Sequence, residues 1–335
     1  MNLKGWPFKA VFALTAQGND FFSAMTRVAV ASLRVSNPEI RVIIACDRAS
    51  DDAMHRSNDQ LIGEVDEWLP VDTPSGPPGF RNRYVKTKLR LLIDGPFLFL
   101  DSDIFVRGDL NEIFTFDCDI AGARNHSREA FAEQIWDQDR ETLDAMGWEI
   151  GKQVYINGGV MFFNDTEGAC IFAEGWHQRW LQSYNKRNNY RDQPALNSAL
   201  YARQPKLKIM SNQFNAQVKT NTYAANDAII WHFYTNSHMP GFFQFDLLVN
   251  RAYETNKIDY ESIRSYQAKS TPWKTELLGD KFIGKRISKQ GYAAGWEIEW
   301  LSTRRLKAPF LRPCSAALEL FLRSLGNRGK QRVSD

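Results

Sequence analysis

Short apolar runs alternate with longer segments of helical spacing along the first 240 residues. Residues 10–14 and 41–46 are apolar enough to be buried strands. Between them, residues 21–33 carry apolar side chains near the helical period, and Asp20 is the predicted N-cap. A strand, a polar turn, a helix and a second strand are the usual beginning of a parallel sheet, so the pattern predicts an α/β fold.

The same pattern predicts the remaining elements. We expect strands at 64–71, 97–100, 119–123, 155–164 and 228–231, and helices at 84–93, 129–146, 166–184 and 193–202. Glycines interrupt the apolar segment 155–164, which is therefore either a strand pair or one bent strand.

Composition is that of a soluble globular protein. The 335 residues are 43% hydrophobic and 24% charged, enough for one large domain or a domain with an appendage. The net charge of +3, without a dense basic block, argues against a nucleic-acid partner. Four dispersed cysteines favour reduced thiols over a zinc site or a disulfide framework. The N-terminus lacks a signal-peptide pattern and no apolar run is of transmembrane length, so we expect a cytoplasmic protein.

The chain after residue 240 is less regularly patterned. We predict one domain over 8–240 and a C-terminal extension over 241–335. Near 309–326 the extension mixes leucine and phenylalanine with arginine and lysine. Two interpretations stay open: a helix packed on the body, or a basic amphipathic helix on the inner membrane surface.

A pair of carboxylates follows one of the buried strands. Asp101 and Asp103 come directly after the apolar run 97–100, separated by Ser102. Two like charges at a strand end are unfavourable unless a cation or a proton lies between them. Isolated Asp-x-Asp pairs also occur in solvated turns, but the preceding strand favours a site for Mg²⁺ or Mn²⁺ with a phosphate-bearing substrate.

The first strand-to-helix turn is a candidate nucleotide site. Leu14 and Thr15 offer backbone amides where the strand ends, and Phe22 offers an aromatic ring for stacking on a base. An ordinary turn is the alternative.

Polar residues at three later positions complete a candidate constellation. Asn157 precedes Gly158 and Gly159, whose missing side chains admit a sugar or form a β-bulge. Asp192 precedes Gln193, either at a sugar or as a simple helix cap. His232 closes a buried strand, either as a core residue or as a nitrogen ligand that shifts the metal preference towards Mn²⁺.

Taken together, these residues resemble the retaining nucleotide-sugar glycosyltransferases of the glycogenin and bacterial lipopolysaccharide-galactosyltransferase type. The matching segments run in the family's order: Thr87-Lys88-Leu89, Leu100-Asp101-Ser102-Asp103, Asn157-Gly158-Gly159-Val160-Met161, Asp192-Gln193-x-Ala195-Leu196-Asn197 and His232-Phe233.

The resemblance implies a GT-A fold, a Rossmann-like mixed sheet flanked by helices, that moves a hexose from a UDP-sugar with retention. It implies Mn²⁺ or Mg²⁺ held by Asp101, Asp103 and His232, and a glycan or lipid-linked glycan as acceptor. Two further groups of residues follow: Lys88, Ser102, Gly159 and His238 at the donor, and Asp192, Gln193 and Asn157 at the transferred sugar.

Two positions depart from the family pattern. Thr235 stands where a glycine is usual, and His238 where a lysine contacts the diphosphate. A histidine is only partly charged near neutral pH, so this contact would depend on pH. These departures leave a nucleotide-sugar-binding protein without turnover as one alternative. The Asp-x-Asp pair after an apolar strand also leaves a phosphatase of the haloacid-dehalogenase type as another.

Overall fold

The computed structural model describes residues 8–152, 154–218, 220, 222–226, 228–234, 243–270 and 272. Within them, the strands in chain order are β1 (Lys9–Leu14), β2 (Arg41–Asp47), β3 (Glu67–Val71), β4 (Phe97–Leu100), β5 (Ile104–Val106), β6 (Ile120–Arg124), β7 (Ile156–Phe163), β8 (Leu207–Met210), β9 (Ala216–Gln217) and β10 (Ile230–His232). The α-helices are α1 (Phe21–Ser36), α2 (Arg48–Arg56), α3 (Leu61–Glu64), α4 (Pro78–Leu92), α5 (Asp137–Met146), α6 (Glu167–Arg187), α7 (Gln193–Arg203), α8 (Gln244–Thr255) and α9 (Tyr260–Gln267).

Seven strands form a mixed sheet in the order β3-β2-β1-β4-β7-β6-β8. Six of them run in one direction, and β7 is antiparallel to its neighbours β4 and β6. The carboxyl ends of β1, β4 and β6 therefore share one edge with the start of β7. The predicted α/β sheet is confirmed, and this edge is where such sheets bind ligands.

Alternating side chains of the strands pack on opposite faces of the sheet. Phe12 and Leu14 of β1 join a core with α1, whereas Val11 faces a second core that includes α4, α6 and α7. Because helices cover both faces of the sheet, side chains on both faces of the central strands are buried. This explains why these strands are apolar at consecutive positions. The segment 155–164 is one buried strand, β7, and not a strand pair.

Helix α1 begins where the sequence predicted. The Asp20 side chain accepts hydrogen bonds from the backbone of Phe22 and Ser23, and the Ser23 hydroxyl lies 3.0 Å from the Asp20 backbone nitrogen. Together these contacts form a capping box.

The helices that follow residue 243 pack on this body. α8 and α9 bury an apolar face against α1, and Gln267 donates to the backbone oxygens of Ser32 and Val106 at 2.7 and 2.8 Å.

The predicted domain division at residues 240 and 241 stays a prediction. The segment 309–326 lies outside the described residues. No helix in the described part of the chain has the length and apolar character that a membrane crossing requires.

The predicted helix over 129–146 is wrong in its first half. Only Asp137–Met146 is α-helical, and two 3₁₀ turns, Asn125–Ser127 and Phe131–Gln134, precede it. The buried Gln134 side chain donates to the backbone oxygens of Arg128 and Glu129 and accepts from the Tyr155 backbone. These tertiary hydrogen bonds stabilise a loop where the composition alone favoured a helix.

Candidate active site

Strand pairing brings the predicted metal ligands together. Asp101 and Asp103 lie in the turn between β4 and β5, and His232 is the last residue of β10, which pairs antiparallel with β5. His232 lies opposite Ile104, and the Phe233 N–H donates to the Asp103 backbone oxygen at 2.9 Å. The backbone thus places the histidine beside the carboxylates, although more than a hundred residues separate them in the chain.

Asp101, Asp103 and His232 have the geometry of a metal site. Each offers one ligand atom, and these atoms lie within 4.8 Å of one another. His232 Nε2 is 3.3 Å from Asp103 Oδ1, while its Nδ1 lies 2.9 Å from Asn215 Oδ1. Because an amide oxygen only accepts, Nδ1 carries the proton and Nε2 keeps its lone pair for a metal. Two carboxylates and one imidazole suit Mg²⁺ or Mn²⁺.

Gly159 makes room for these ligands. A Cβ at this position would lie 2.2 Å from His232 Cε1 and 2.9 Å from Asp101 Oδ2. The Asp101 N–H also donates to the Gly159 backbone oxygen at 2.8 Å. The sequence predicted that another group lies close to the backbone at this glycine. In the structure those groups are the side chains of His232 and Asp101. Contact of Gly159 with a donor stays a prediction.

Lys86 links the metal-site carboxylates to Asp192. Its Nζ lies 3.0 Å from Asp101 Oδ1 and 3.3 Å from Asp192 Oδ2, and the lysine is only 4% exposed. Arg83, one turn earlier on α4, lies 3.2 Å from Asp192 Oδ1. Burial alone would raise the pKa of Asp192, but the two cations outweigh burial and hold it below its ordinary value. Asp192 is therefore a carboxylate near neutral pH.

Asp192 is at the start of α7 but does not cap it with its side chain. The alternative that Asp192 is a simple helix cap is therefore wrong for its side chain. The side chain lies beside Lys86, which also contacts Asp101. Contact of Asp192 with a sugar stays a prediction.

Asn157 and Gln193 lie side by side. Asn157 is 2% exposed, and its Nδ2 lies 2.8 Å from Tyr234 Oη and 3.3 Å from Gln193 Oε1. Its Oδ1 accepts from Asn215 Nδ2 and from the Gly159 N–H, both at 2.9 Å. These contacts place Asn157 behind His232, and the contacts of Asn157 and Gln193 with a transferred sugar stay predictions.

The side chains that continue this chain of amides have no signal in the sequence. The Tyr234 hydroxyl contacts Gln217 Oε1 and lies 3.2 Å from Asn125 Oδ1. Burial, with the carboxylates of Asp103 and Asp101, raises the pKa of Tyr234 far above its ordinary value, so the hydroxyl stays protonated. Isolated asparagine, glutamine and tyrosine residues carry no motif, so only the tertiary structure identifies them.

The predicted nucleotide-binding turn is at the same sheet edge. Leu14 is buried in the core, Thr15 is 8% exposed, and Phe22 is 42% exposed. The Ser102 hydroxyl lies 2.7 Å from Thr26 Oγ1 of α1, which ties the carboxylate turn to this helix. The roles of Leu14, Thr15, Phe22 and Ser102 in nucleotide binding stay predictions.

Lys88 is not brought to this site. Its Nζ lies 3.5 Å from Tyr84 Oη and over the Tyr84 ring, whereas Lys86 reaches the carboxylates. Residues two apart on a helix point in different directions, and the motif alone did not show which lysine faces the sheet edge. His238 and Thr235 lie outside the described residues.

Comparison with known proteins identifies the domain. Residues 96–238 match the sequence model of glycosyl transferase family 8, a segment that contains Asp101, Asp103, Asn157, Asp192 and His232. This segment is a family 8 glycosyltransferase domain. The protein is accordingly a glycosyltransferase, and the resemblance drawn from its motifs is confirmed.

Solved structures confirm the fold. The galactosyltransferase LgtC, in complex with donor and acceptor sugar analogues, aligns with a TM-score of 0.51 at 17% identity, over 78% of this chain and 96% of that one. An active-site mutant of LgtC aligns with a TM-score of 0.51 at 16% identity, over 76% and 99% of the two chains. At this identity the likeness establishes the GT-A fold alone. No curated protein matches the sequence.

Proposed function

We propose that this protein is a metal-dependent glycosyltransferase that moves a hexose from a UDP-sugar to a glycan or lipid-linked glycan, with retention of anomeric configuration. The observation that carries the proposal is the convergence of Asp101, Asp103 and His232 at the sheet edge of a family 8 domain.

A divalent cation, Mn²⁺ or Mg²⁺, would be held by these three side chains. When bound, it supplies positive charge that stabilises the departing diphosphate. The residues around it keep that position rigid. Asn215 orients the His232 ring, and the backbone of Gly159 leaves space for the ring and for Asp101. Rigid placement matters because displacement by about 1 Å costs around a hundredfold in rate.

Lys86 and Asp192 are proposed to act at the transferred sugar. Lys86 spans Asp101 and Asp192, so the metal side and the sugar side of the site share one cation. Asp192, with Gln193 beside Asn157, presents oxygens that accept hydrogen bonds from sugar hydroxyls. Sugar binding here would exchange some protein contacts of Asp192 for contacts with the donor.

Retention can follow two routes, attack by the acceptor on the face that the diphosphate leaves, or double displacement through a protein nucleophile. Asp192 is held by Lys86 and Arg83, and both cations lower the nucleophilicity of its carboxylate. Gln193 offers a neutral amide oxygen, which is a weak nucleophile. We therefore favour front-face attack.

The expected location is cytoplasmic, with peripheral contact at the inner membrane face if the acceptor is lipid-linked. The contact would involve residues near 309–326. Sedimentation with anionic vesicles, compared between the full chain and a variant with the arginines of that segment replaced, tests it.

A donor screen tests the central proposal. Thermal shifts are measured for UDP and UDP-hexoses with Mn²⁺, with Mg²⁺ and with a chelator, followed by UDP release from each donor that binds. We expect stabilisation by UDP only when metal is present, and slow UDP release from at least one donor. Tight UDP binding without release from any donor would favour the alternative, a binding protein without turnover. Stabilisation that persists in chelator would contradict the metal assignment.

A further inference from the structure

A buried ion pair lies beside the segment that carries Asp192. Asp139, in the first turn of α5, is fully buried, and its Oδ1 accepts from Arg191 Nε at 2.8 Å. A second nitrogen of Arg191 lies 2.8 Å from the same oxygen, and a third donates to Gln138 Oε1 at 2.9 Å. Burying a carboxylate is costly unless an opposite charge and hydrogen bonds compensate. The chemistry proposed above does not use this pair, so its position calls for another explanation.

The pair fixes the loop before α7 on the helix α5. Asn189 Nδ2 donates to Thr142 Oγ1 at 3.0 Å, and Asn189 Oδ1 accepts from the Arg191 backbone N–H at 3.0 Å. Thr142 lies one turn after Asp139, so both contacts are made by the same buried face of α5. This helix therefore supports the residue that directly precedes Asp192.

Asp192 itself is held from two other helices. Its backbone oxygen accepts from Trp176 Nε1 of α6 at 3.1 Å, and its carboxylate lies between Lys86 and Arg83 of α4. Ion pairs tolerate small displacements, so the two cations of α4 do not by themselves fix where the carboxylate points. That direction depends on the backbone, which α6 holds at Asp192 and α5 holds at Arg191.

Asp139 also lies beside the segment that carries the second sugar-side residue. Tyr155 is fully buried and comes two residues before Asn157. Burial and then the charge of Asp139 raise the pKa of Tyr155 far above its ordinary value, so a protonated phenol faces the carboxylate. Asp139 is therefore buried between Arg191, next to Asp192, and Tyr155, near Asn157.

We propose that Asp139 and Arg191 are positioning residues for the Asp192 carboxylate. Arg191 holds the backbone before Asp192, and Asp139 holds Arg191. The inference rests on the proposed function, in which Asp192 accepts hydrogen bonds from the transferred sugar. Loss of the pair then impairs the step that involves the sugar. It leaves UDP and metal binding unchanged, because the three metal-site residues are placed by β4, β5 and β10.

Donor hydrolysis and nucleotide binding separate these effects. UDP-glucose and UDP-galactose are the probes with Mn²⁺, UDP release is the readout, and UDP is the sugar-free reference ligand. We expect Asp139→Asn to lower UDP release about tenfold, less than the roughly hundredfold cost of a displacement of about 1 Å. The Kd of UDP and the Mn²⁺ concentration for half-maximal activity should change less than about twofold.

Asp165→Asn is the matched control. Asp165 forms an ion pair of 3.2 Å with the buried Arg90, beyond the end of β7 that lies away from the site. This variant should lower the melting temperature and leave UDP release, the Kd of UDP and the Mn²⁺ requirement unchanged. It shows what the loss of a partner of a buried charge does when no sugar contact depends on it.

A double-mutant cycle tests whether the pair acts through Asp192. In an Asp192→Ala background, Asp139→Asn should lower the remaining rate less than about twofold, because the positioned group is absent. Arg191→Lys keeps the charge but loses the planar fork that contacts both Asp139 and Gln138, so its rate should lie between those of wild type and Arg191→Met. If Asp139→Asn does not fold, the two Arg191 variants serve in the same cycle.

The results that would overturn the inference are distinct from failure of the proposed function. A wild-type rate in Asp139→Asn overturns it, and so does an undiminished tenfold loss in the Asp192→Ala background. Weaker UDP and Mn²⁺ binding in proportion to a lower melting temperature also overturns it, because that is what a purely structural role predicts. Each of these results leaves a wild-type protein that turns over its donor. If no UDP-sugar binds the wild type with Mn²⁺, the proposed function fails and the inference fails with it.

Discussion

The two halves of the candidate active site are held together by different forces. On one side, full charges face each other: Lys86 lies between Asp101 and Asp192, and Arg83 lies on the far side of Asp192. On the other side, His232 is fixed by neutral groups, namely Asn215 and, behind it, Asn157. The charged half is assembled mainly by α4 and the strand ends, and the neutral half by the buried start of β7 and the turn before β9.

The two kinds of contact have different consequences: the ion pairs supply attraction, and the neutral hydrogen bonds supply orientation. Charge attraction falls off slowly with distance and tolerates small displacements, so it can keep carboxylates ionised and close to one another. Neutral hydrogen bonds weaken steeply with angle, so a chain of amides is suited to fixing one tautomer and one ring orientation. We therefore expect variants of the charged half to change charge balance and stability, and variants of the neutral half to change metal placement.

The largest effect is expected for the metal-site carboxylates. Asp103→Ala or Asp101→Ala should lower transfer by at least about a thousandfold, because the metal's charge stabilisation is worth several kcal/mol. The melting temperature of the metal-free protein should not fall in Asp103→Ala, since repulsion between the carboxylates is removed. Asp101→Ala also takes away a partner of the buried Lys86 and should lower it. Asp117→Ala, at a carboxylate that is 93% exposed, is the control. Near-normal turnover in either site variant would contradict the assignment.

Removal of the bridging cation is the next strongest test. Lys86→Met leaves two carboxylates without their shared partner and should lower the free energy of unfolding by about 3 kcal/mol. Lys88→Met, on the same helix but against Tyr84, should cost much less. Denaturant unfolding compares the two variants, and equal losses would show that Lys86 has no special role.

The loss of stability in Lys86→Met is predicted to depend on pH. The folded-state pKa of Asp192 lies below its unfolded value of about 3.9. Ionised Asp192 therefore stabilises the wild-type fold above about pH 4, and this contribution is lost as the pH falls through the lower folded pKa. Lys86→Met raises that pKa, so the difference in melting temperature between the two proteins should be largest above about pH 5 and shrink below about pH 4. A constant difference over this range would contradict the link.

Displacement of the His232 ring by a new side chain should lower the transfer rate about a hundredfold. In Gly159→Ala the new Cβ would meet His232 Cε1 at 2.2 Å and force the ring away from Asp103. Gly63→Ala is the control, since nothing lies within 4 Å of a Cβ there. Steady-state rates and Mn²⁺ titrations measure both. A Gly159→Ala protein with wild-type metal affinity would show that the ring has more freedom than its contacts indicate.

The smallest effect is expected for the hydrogen bond behind the metal ligand. Asn215→Ala removes the partner of His232 Nδ1 and should raise the Mn²⁺ concentration for half-maximal activity about tenfold. At saturating Mn²⁺, kcat should stay within about threefold of wild type. Asn212→Ala, in the neighbouring turn, is the control. A loss of kcat that excess metal does not restore would place Asn215 at the substrate.

The residues that belong to motifs were predictable from the sequence, whereas the residues that hydrogen-bond to them or form ion pairs with them were not. Asp101, Asp103 and His232 terminate or close apolar strands, a local signal that periodicity detects. Asn215, Tyr234 and Lys86 carry no such signal, because their roles depend on pairing between segments far apart in the chain. The first part of the predicted helix over 129–146 was wrong for a related reason: Gln134 forms its hydrogen bonds with Arg128, Glu129 and the distant Tyr155.

The sequence by itself was enough to predict an α/β domain, to find the carboxylate pair and to show the family resemblance. The spacing of apolar residues in strands and helices, and the residues that end these elements, are short-range properties of the sequence. The tertiary structure alone decided that Lys86 and not Lys88 faces the carboxylates, that Gly159 yields space to His232, and that Asp139 pairs with Arg191 next to Asp192. Those outcomes depend on which strands pair and in what register, and register couples residues that have no local relation in the chain.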